Sequence, residues 1–358
     1  MTAFVEANRG VVVIGRNEGE RLQRCLQSVN DRVKSAVYVD SGSIDDSVGL
    51  ARSMGWDVVE LSECAPFTAA RARNAGLARL LESSPNLLFV QFLDGDCELV
   101  AGWLERAESE LSAWPDVAIV VGIVRERSQD ASVYNRLCDI EWRGPLGEIA
   151  YCGGIAFVRT QAVRQVGGFD ATIIAAEDTE LCTRLRLAGW RILRVGAAMA
   201  LHDAGMMRLR QWWRRAVRTG HAFAHGAALH GRSPARLFVR ERRAAWFWAV
   251  ILPVVTFGLA GLTSGISLLL LLGYPVLGAR VYVAGLGKGL QKRDAALYAV
   301  HCVAAKCPQM LGQLRFYLSR ALGRPAAIIE HKGPAWRAYG HGRATRVTAP
   351  HSPEGVQR

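Results

Sequence analysis

No Cys-x-x-Cys pair occurs among the eight cysteines, Cys25, Cys64, Cys97, Cys138, Cys152, Cys182, Cys302 and Cys307, which stand singly along the 358 residues. That scatter gives neither a zinc site nor a disulfide framework, and it fits reduced thiols in a cytosolic setting. Acidic residues are scarce in the second part of the chain. From Arg208 to Arg358 there are 4 Asp+Glu against 23 Lys+Arg, a net of +19; from Met1 to Met207 there are 28 against 21, a net of −7; the two sum to the overall +12. The basic excess is therefore local and does not mark the whole chain as a nucleic-acid binder. Charge is missing altogether from Ala244 until Arg280. There is no internal repeat and no secretory signal: the apolar "VVVIG" near the start is too short and leads directly into "RNEGER". The acidic part is expected to stay inside the cell.

What is present is a chain with half its residues hydrophobic, enough for a sizeable core and more than one structural unit. The uncharged stretch exceeds the roughly 20 residues needed to cross a bilayer once, and Thr263, Ser264 and Gly265 offer a turn near its middle. Two short membrane helices are expected, at about 245–262 and 266–286, within a hairpin spanning 244–287. Arg236, Arg240, Arg242 and Arg243 precede the hairpin and Lys288, Lys292 and Arg293 follow it, which places both ends on the cytoplasmic side. A hairpin buried in a soluble protein is the alternative. Trp246 and Trp248 at one end, with Tyr274 and Tyr282 toward the other, suit membrane interfaces better. The division expected is 1–207 catalytic, 208–243 basic amphipathic and interfacial, 244–287 membrane hairpin, 288–332 amphipathic helices, and 333–358 a disordered basic tail.

Periodicity in the first part alternates between two classes. "VVVI" reads as a strand, and the following Leu22, Cys25, Leu26 and Val29 recur at helical spacing. A strand at 35–39 and a helix from about Asp46 repeat the unit, "WDVVEL" is a third strand, and "FTAARARNAGLARLLES" is a helix with Thr68 as N-cap. A fourth strand, "LLFVQFLD", follows. The fold class is α/β, with a parallel sheet between helices and polar site residues at the carboxyl ends of strands. Later come a helix at about 101–113, a strand in "DVAIVVGIVRER", a strand and helix in "GGIAFVRTQAVRQVGGFD", and an acidic-fronted helix at 176–188.

Asp94-Gly95-Asp96 closes the fourth strand. Two carboxylates so close repel unless a cation sits between them, and hard oxygen ligands suit Mg²⁺ or Mn²⁺ bridging to phosphate. A solvated Asp-Gly turn is the plainer reading. "VDSGSIDDS" likewise ends a strand with Asp40, placed to accept hydrogen bonds from a base or ribose, followed by Ser41 and Gly42, which permit close approach of a ligand; an ordinary strand-to-helix turn is the alternative.

Order and spacing carry more than either motif alone. Over about residues 10 to 220 the chain resembles the family 2 glycosyltransferases, nucleotide-sugar enzymes with the Rossmann-like GT-A fold. The resemblance rests on "VVVIGRNEGERLQRCLQSV", "VYVDSGSIDDS", "AARARNAGL", "FLDGD", "CGGIAFVR" and "AEDTELCTRLRLAGWRI", six segments in the family's order. It implies a nucleotide-diphospho-sugar donor, a divalent Mg²⁺ or Mn²⁺ held by Asp96, and Asp94 toward the ribose or a metal-bound water. Asp178 matches the catalytic aspartate, taking the acceptor's proton in a single inverting displacement. Glu177 beside it either orients the acceptor or caps the helix. Arg71 and Asn74, three apart on one helical face, suit contacts to the nucleotide, whereas Arg73 reads as solvated on another face. Gly153 and Gly154 would let a sugar lie against the backbone, unless they form a plain tight turn.

His202 resembles a histidine that completes the metal or diphosphate site in some of these enzymes, though a structural role is equally open. Processive members carry Gln-x-x-Arg-Trp next; here Gln211 and Arg214 keep the interval but Arg215 stands where the tryptophan belongs. Arg214 or Arg215 would bind the diphosphate, or the Arg-rich run with Trp212 and Trp213 lies on the membrane surface. The function expected is a metal-dependent, inverting transferase at the cytoplasmic membrane, acting on a lipid-linked or polysaccharide acceptor in envelope assembly and binding no nucleic acid. A catalytically inactive scaffold is the main alternative, and a basic nucleic-acid-binding membrane protein a lesser one.

Overall fold

The computed structural model describes residues 8–30 and 32–323. Its first part alternates as the periodicity requires: β1 (Arg9–Gly15), α1 (Glu20–Val29), β2 (Ser35–Asp40), α2 (Ser47–Ser53), β3 (Asp57–Glu60), α3 (Ala69–Ser83) and β4 (Phe89–Asp94). Val11, Val12 and Val13 are fully buried on consecutive positions, as befits a strand covered on both faces. Thr68 caps α3, its side chain accepting from the Arg71 amide at 3.1 Å.

The chain continues through β5 (Cys97–Leu99), α4 (Trp103–Ala113), β6 (Val117–Glu126), α5 (Val133–Trp142), β7 (Gly147–Glu148), β8 (Ala156–Arg159), α6 (Thr160–Gln165), α7 (Glu177–Leu187) and β9 (Arg191–His202). The sheet order is β3-β2-β1-β4-β8-β6-β9-β5, with β7 added against β9. The sheet is mixed and not parallel throughout. β1 to β4 run parallel, while β8 is antiparallel to both β4 and β6, and β5 is antiparallel to β9. Only strands joined by a helical crossover are held parallel; β8 enters after a long excursion through β5, α4, β6 and α5 and escapes that constraint.

Beyond the sheet lie α8 (Leu209–His230), α9 (Val239–Trp246), a π-helical turn (Phe247–Ile251), α10 (Leu252–Gly258), a 3₁₀ segment (Ile266–Leu272), α11 (Gly273–Gly287), α12 (Lys292–Ala304) and α13 (Lys306–Ala321). The helices of 208–243 and of 288–323 pack on each other. A Cβ at Gly220 of α8 would overlap the Gln309 carbonyl of α13, and one at Gly312 would overlap the Val217 carbonyl, so the two helices touch through glycine. Trp212 is buried edge-on against His301 of α12 at 5.2 Å and does not rest on a surface, while Trp213 stays exposed. Buried Asp294 at the start of α12 accepts from Arg136 Nε at 2.6 Å and lies 3.4 Å from Arg143 Nη1, which ties the helical region to α5 of the sheet domain.

The expected turn is where Thr263, Ser264 and Gly265 placed it, with Ser264 and Gly265 at φ 51° and 87°. Among the described residues only the helix Ile266–Gly287 is long and apolar enough to cross a bilayer. The helical run before the turn begins at Val239, carries Arg240, Glu241, Arg242 and Arg243 in its opening turns, and ends at Gly258. The tail expected at 333–358, and residues 324–332 before it, lie outside the described residues.

Candidate active site

The parallel register puts the polar residues where strands end. Gly15 of β1 pairs with Asp40 of β2 on one side, and its neighbour Ile14 pairs with Asp94 of β4 on the other. The Gly95 amide bonds the Ile14 carbonyl at 2.8 Å, turning the chain so that Asp96 points back under the strand ends. β9 lies between β6 and β5, and its last residue His202 is opposite Cys97 on one side and Glu126 on the other. Thus Asp96, Glu126 and His202 converge although 76 residues separate the last two.

His202 Nδ1 is 2.7 Å from Glu126 Oε2, and its Nε2 is 3.6 Å from Asp96 Oδ2. Glu126 is buried and its other oxygen accepts from the Ala204 amide at 2.8 Å, which fixes it as the partner of Nδ1–H. Nε2 on the other side of the ring faces the Asp96 carboxylate. A carboxylate holding the far nitrogen of an imidazole is the usual support of a metal-binding histidine. Cys97 Sγ also lies within reach of Asp96 and His202, but it donates to Asp96 Oδ1 at 3.3 Å, and burial holds its thiol well above the usual range, so it supports the carboxylate and stays protonated. Asp96 and His202 are the residues fitted to hold a divalent ion, and an imidazole in the set suits Mn²⁺ better than Mg²⁺.

The second cluster centres on Arg73, which the helix-face reading left in solvent. It is 2% exposed, its Nη2 donating to Asp94 Oδ1 at 2.8 Å and its Nη1 pairing with buried Glu177 at the start of α7. Asp178 follows Glu177 in the first turn of α7. Burial raises its carboxyl and the Glu177 charge adds to that, while Arg73 pulls the other way; the result is pushed up to about 7. Gly154 is where the Arg73–Asp94 pair lies against the backbone: a Cβ there would collide with Arg73 Nη2 and sit 3.1 Å from Asp94 Oδ2. Gly153 is crowded by the Trp142 ring in the same way. Both glycines make room for the protein's own side chains.

Other expected contacts are directed elsewhere. Asp40 is buried and spends its oxygens on its own turn, accepting from Tyr38 Oη at 2.8 Å and from the Ser43 amide at 2.7 Å. Ser41 is buried beside it with its amide on the Gly15 carbonyl at 3.0 Å. Arg71 clamps the preceding loop, donating to Ala65 O at 2.7 Å and Ser62 O at 2.9 Å, and is not among the strand-end carboxylates. Asn74 exchanges two hydrogen bonds with the Phe169 backbone, at 2.7 and 2.9 Å, and so fastens α3 to the loop after α6. Arg215 pairs with Glu141 at 2.6 Å on α5; Arg214 is exposed.

Two site residues were missed and one was set aside. Arg73 lies on the stripe Ala70, Arg73, Leu77 and Leu80, which is the buried face of α3, so the apolar spacing alone shows that it points inward. Glu126 ends a strand, as Asp40 and Asp94 do, a position shared with the residues that were found. Glu177, set aside as a possible cap, is the buried partner of Arg73.

The family described as glycosyl transferase family 2 matches residues 10–162. The chain is 33% identical over 246 residues to the pre-mycofactocin glycosyltransferase of Mycobacterium tuberculosis, covering 64% of this chain and 49% of that protein. It is 30% identical over 207 residues to glycosyltransferase AglE of Haloferax volcanii, covering 54% of this chain and 66% of the relative. The chain thus spans about half the length of the first of these and just under two thirds of the second. Among solved structures, the mannosyltransferase PcManGT from Pyrobaculum calidifontis, in complex with GDP-Man and Mn²⁺, superposes with a TM-score of 0.57 at 19% identity, covering 87% of this chain and 88% of that one. That likeness is one of fold.

Proposed function

With residues 10–162 a glycosyl transferase family 2 domain on a GT-A fold, we propose that the chain is an inverting, metal-dependent glycosyltransferase. It moves a sugar from a nucleotide-diphosphate donor to a lipid-linked or other membrane-associated acceptor, in envelope or exported-polysaccharide assembly. The observation that carries this reading is the gathering of carboxylates at strand and helix ends: Asp94 and Glu177 on Arg73, Asp96 and Glu126 on His202, and Asp178 in the first turn of α7, where burial raises its carboxyl to about 7. A general base works best when its pKa lies near the working pH. Asp178 takes the proton of the acceptor hydroxyl as that oxygen bonds to the anomeric carbon. The bond from that carbon to the diphosphate breaks on the opposite face, so configuration inverts, and the nucleotide diphosphate leaves with the electron pair.

Arg73 keeps Asp94 in place at the mouth of β4, where it faces the donor. Asp96 and His202 would hold a divalent ion, which supplies electrostatic stabilisation of the departing diphosphate. The complex of the structural neighbour makes GDP-mannose and Mn²⁺ the first donor and metal to try. The exposed apolar residues of the hairpin, Ile251, Val254, Phe257 and Leu269 among them, support membrane attachment next to the site. The cationic flanks of the hairpin support a cytoplasmic catalytic domain.

The reading is tested by transfer or hydrolysis from a panel of GDP-, UDP- and dTDP-sugars by detergent-purified protein, with Mn²⁺ or Mg²⁺ against EDTA. One donor should turn over, and both EDTA and Asp96→Ala should lower that rate at least about 100-fold. Silence across the panel with no nucleotide bound by calorimetry would leave an inactive scaffold. Glu126→Gln is expected to keep the fold and weaken Mn²⁺ binding about 10- to 100-fold, since it removes the carboxylate that orients His202. A Mn²⁺ titration of the variant in the transfer assay, beside direct binding by calorimetry, measures this; unchanged affinity would show that His202 is not a ligand.

A further inference from the structure

The hairpin has only one collar of charge and aromatic residues, and this bears on how deeply it enters a bilayer. Its two legs are locked in register by two contacts. Ser267 Oγ donates to Thr256 O at 2.7 Å near the tip, and Tyr274 Oη donates to Trp248 O at 2.5 Å farther down, where the two rings lie 5.6 Å apart. Each residue of one leg is thus opposite a residue whose number sums with its own to 522 or 523. The same register carried down the legs puts Arg243, the last charge before the uncharged stretch, level with 279–280, where Arg280 is the first charge after it. Trp248 and Tyr274, on the two legs, sit at one level.

Above that collar the hairpin is short. On the first leg the helix from Ala244 to Gly258 rises about 22 Å at 1.5 Å per residue, less where the π-turn tightens it. On the second, the seven-residue 3₁₀ segment and the α-helix up to 279 together rise about 25 Å. The hydrocarbon of a bilayer is about 30 Å thick. The tip carries nothing that would seek the far headgroups: residues 249–273 include no Trp, Tyr, Lys or Arg. Leu262 and Ile266 project there at 84% and 69% exposure. The hydroxyls of Thr256, Thr263 and Ser267 donate to the carbonyls of Leu252, Leu259 and Thr256, as buried polar groups must in lipid. Below the collar, Arg236, Arg240, Lys288, Lys292 and Arg293 are all exposed, a cationic rim matched to anionic headgroups.

We propose that the hairpin enters and leaves the bilayer through one face, with its tip ending inside the hydrocarbon, so that the protein is a monotopic membrane protein and no part of 244–287 reaches the opposite surface. This rests on the membrane-attached reading above. Collar and tip together hold the protein at one leaflet, which is where a lipid-linked substrate presents its headgroup.

The test uses the full chain, with exposed Cys64 and Cys307 changed to serine, bound to preformed vesicles of phosphatidylglycerol and phosphatidylethanolamine. Single cysteines are placed by Ser264→Cys and Leu262→Cys at the tip and by Arg236→Cys and Lys288→Cys at the rim. A membrane-impermeant maleimide is added outside or trapped in the lumen. Expected are rim labelling from outside only, and tip cysteines unreactive from both compartments until detergent is added. Bimane on the tip should be quenched most strongly by lipids carrying a mid-chain doxyl group. Tip labelling by the lumenal reagent, in a chain that floats with the vesicles, would overturn the one-face topology and leave membrane attachment standing. A chain that does not float would remove both.

Discussion

Asp178→Asn is expected to lower sugar transfer by about 10²- to 10⁴-fold, the contribution of a positioned general base, while nucleotide-sugar binding stays within a few-fold of the parent. The pH dependence separates this from a packing defect. Transfer by the parent should rise as Asp178 loses its proton, with a midpoint of about 7, and the residual rate of the variant should be flat from pH 5 to 8. The sign for stability runs opposite to the sign for activity. Because burial and the Glu177 charge raise the folded-state pKa above 3.8, the protonated carboxyl stabilises the fold at low pH, and that contribution is lost as pH rises through about 7. The asparagine is neutral at every pH. The variant should therefore unfold at a higher temperature than the parent at pH 8, with the difference closing toward pH 4. A variant that keeps more than a tenth of the parental rate, or a parental profile without an inflection near neutrality, would exclude Asp178 as the base.

The strands and helices of the first part were legible because each buries a stripe of its own periodicity: Leu22, Cys25, Leu26 and Val29 face inward on α1 as their spacing demands. Strand direction was not legible, since nothing local in "AFVR" records that β8 returns to the sheet after a long excursion. The site divides in the same way. Asp94, Asp178 and His202 stand out in the sequence because they end strands or open a helix, and Asp96 because it follows the turn after β4. Arg73 was misplaced because a polar residue on a helix reads as exposed until the whole apolar stripe is drawn, and the stripe of α3 runs through it. Glycine was read as space for a ligand, whereas Gly153 and Gly154 are filled by Trp142 and Arg73. That distinction depends on which side chains arrive from other elements, and a single sequence does not record it.

Arg73→Ala should be the most damaging single substitution in the catalytic domain outside the apolar core. The guanidinium is 2% exposed, is stacked 5.6 Å from the Phe169 ring, and separates Asp94 from buried Glu177. Removing it leaves two carboxylates facing each other with no cation, a change that costs about 3–5 kcal/mol when a buried pair is broken from one side. Asp178 would lose its nearby positive charge too, so any activity that survives should have its pH midpoint displaced above 7. Arg71→Ala provides the contrast: its bonds to Ser62 and Ala65 are exposed, and its loss should cost no more than about 1 kcal/mol. Denaturant midpoints of the two variants measure the difference. If Arg73→Ala folds too poorly to assay, the triple change Arg73→Met, Asp94→Asn, Glu177→Gln removes all three charges together and should recover much of the lost stability while transfer stays low. Recovery of stability without recovery of activity would show that Arg73 holds Asp94 and Glu177 where the chemistry needs them. Equal stability of Arg71→Ala and Arg73→Ala would mean that the buried triad contributes nothing to the fold.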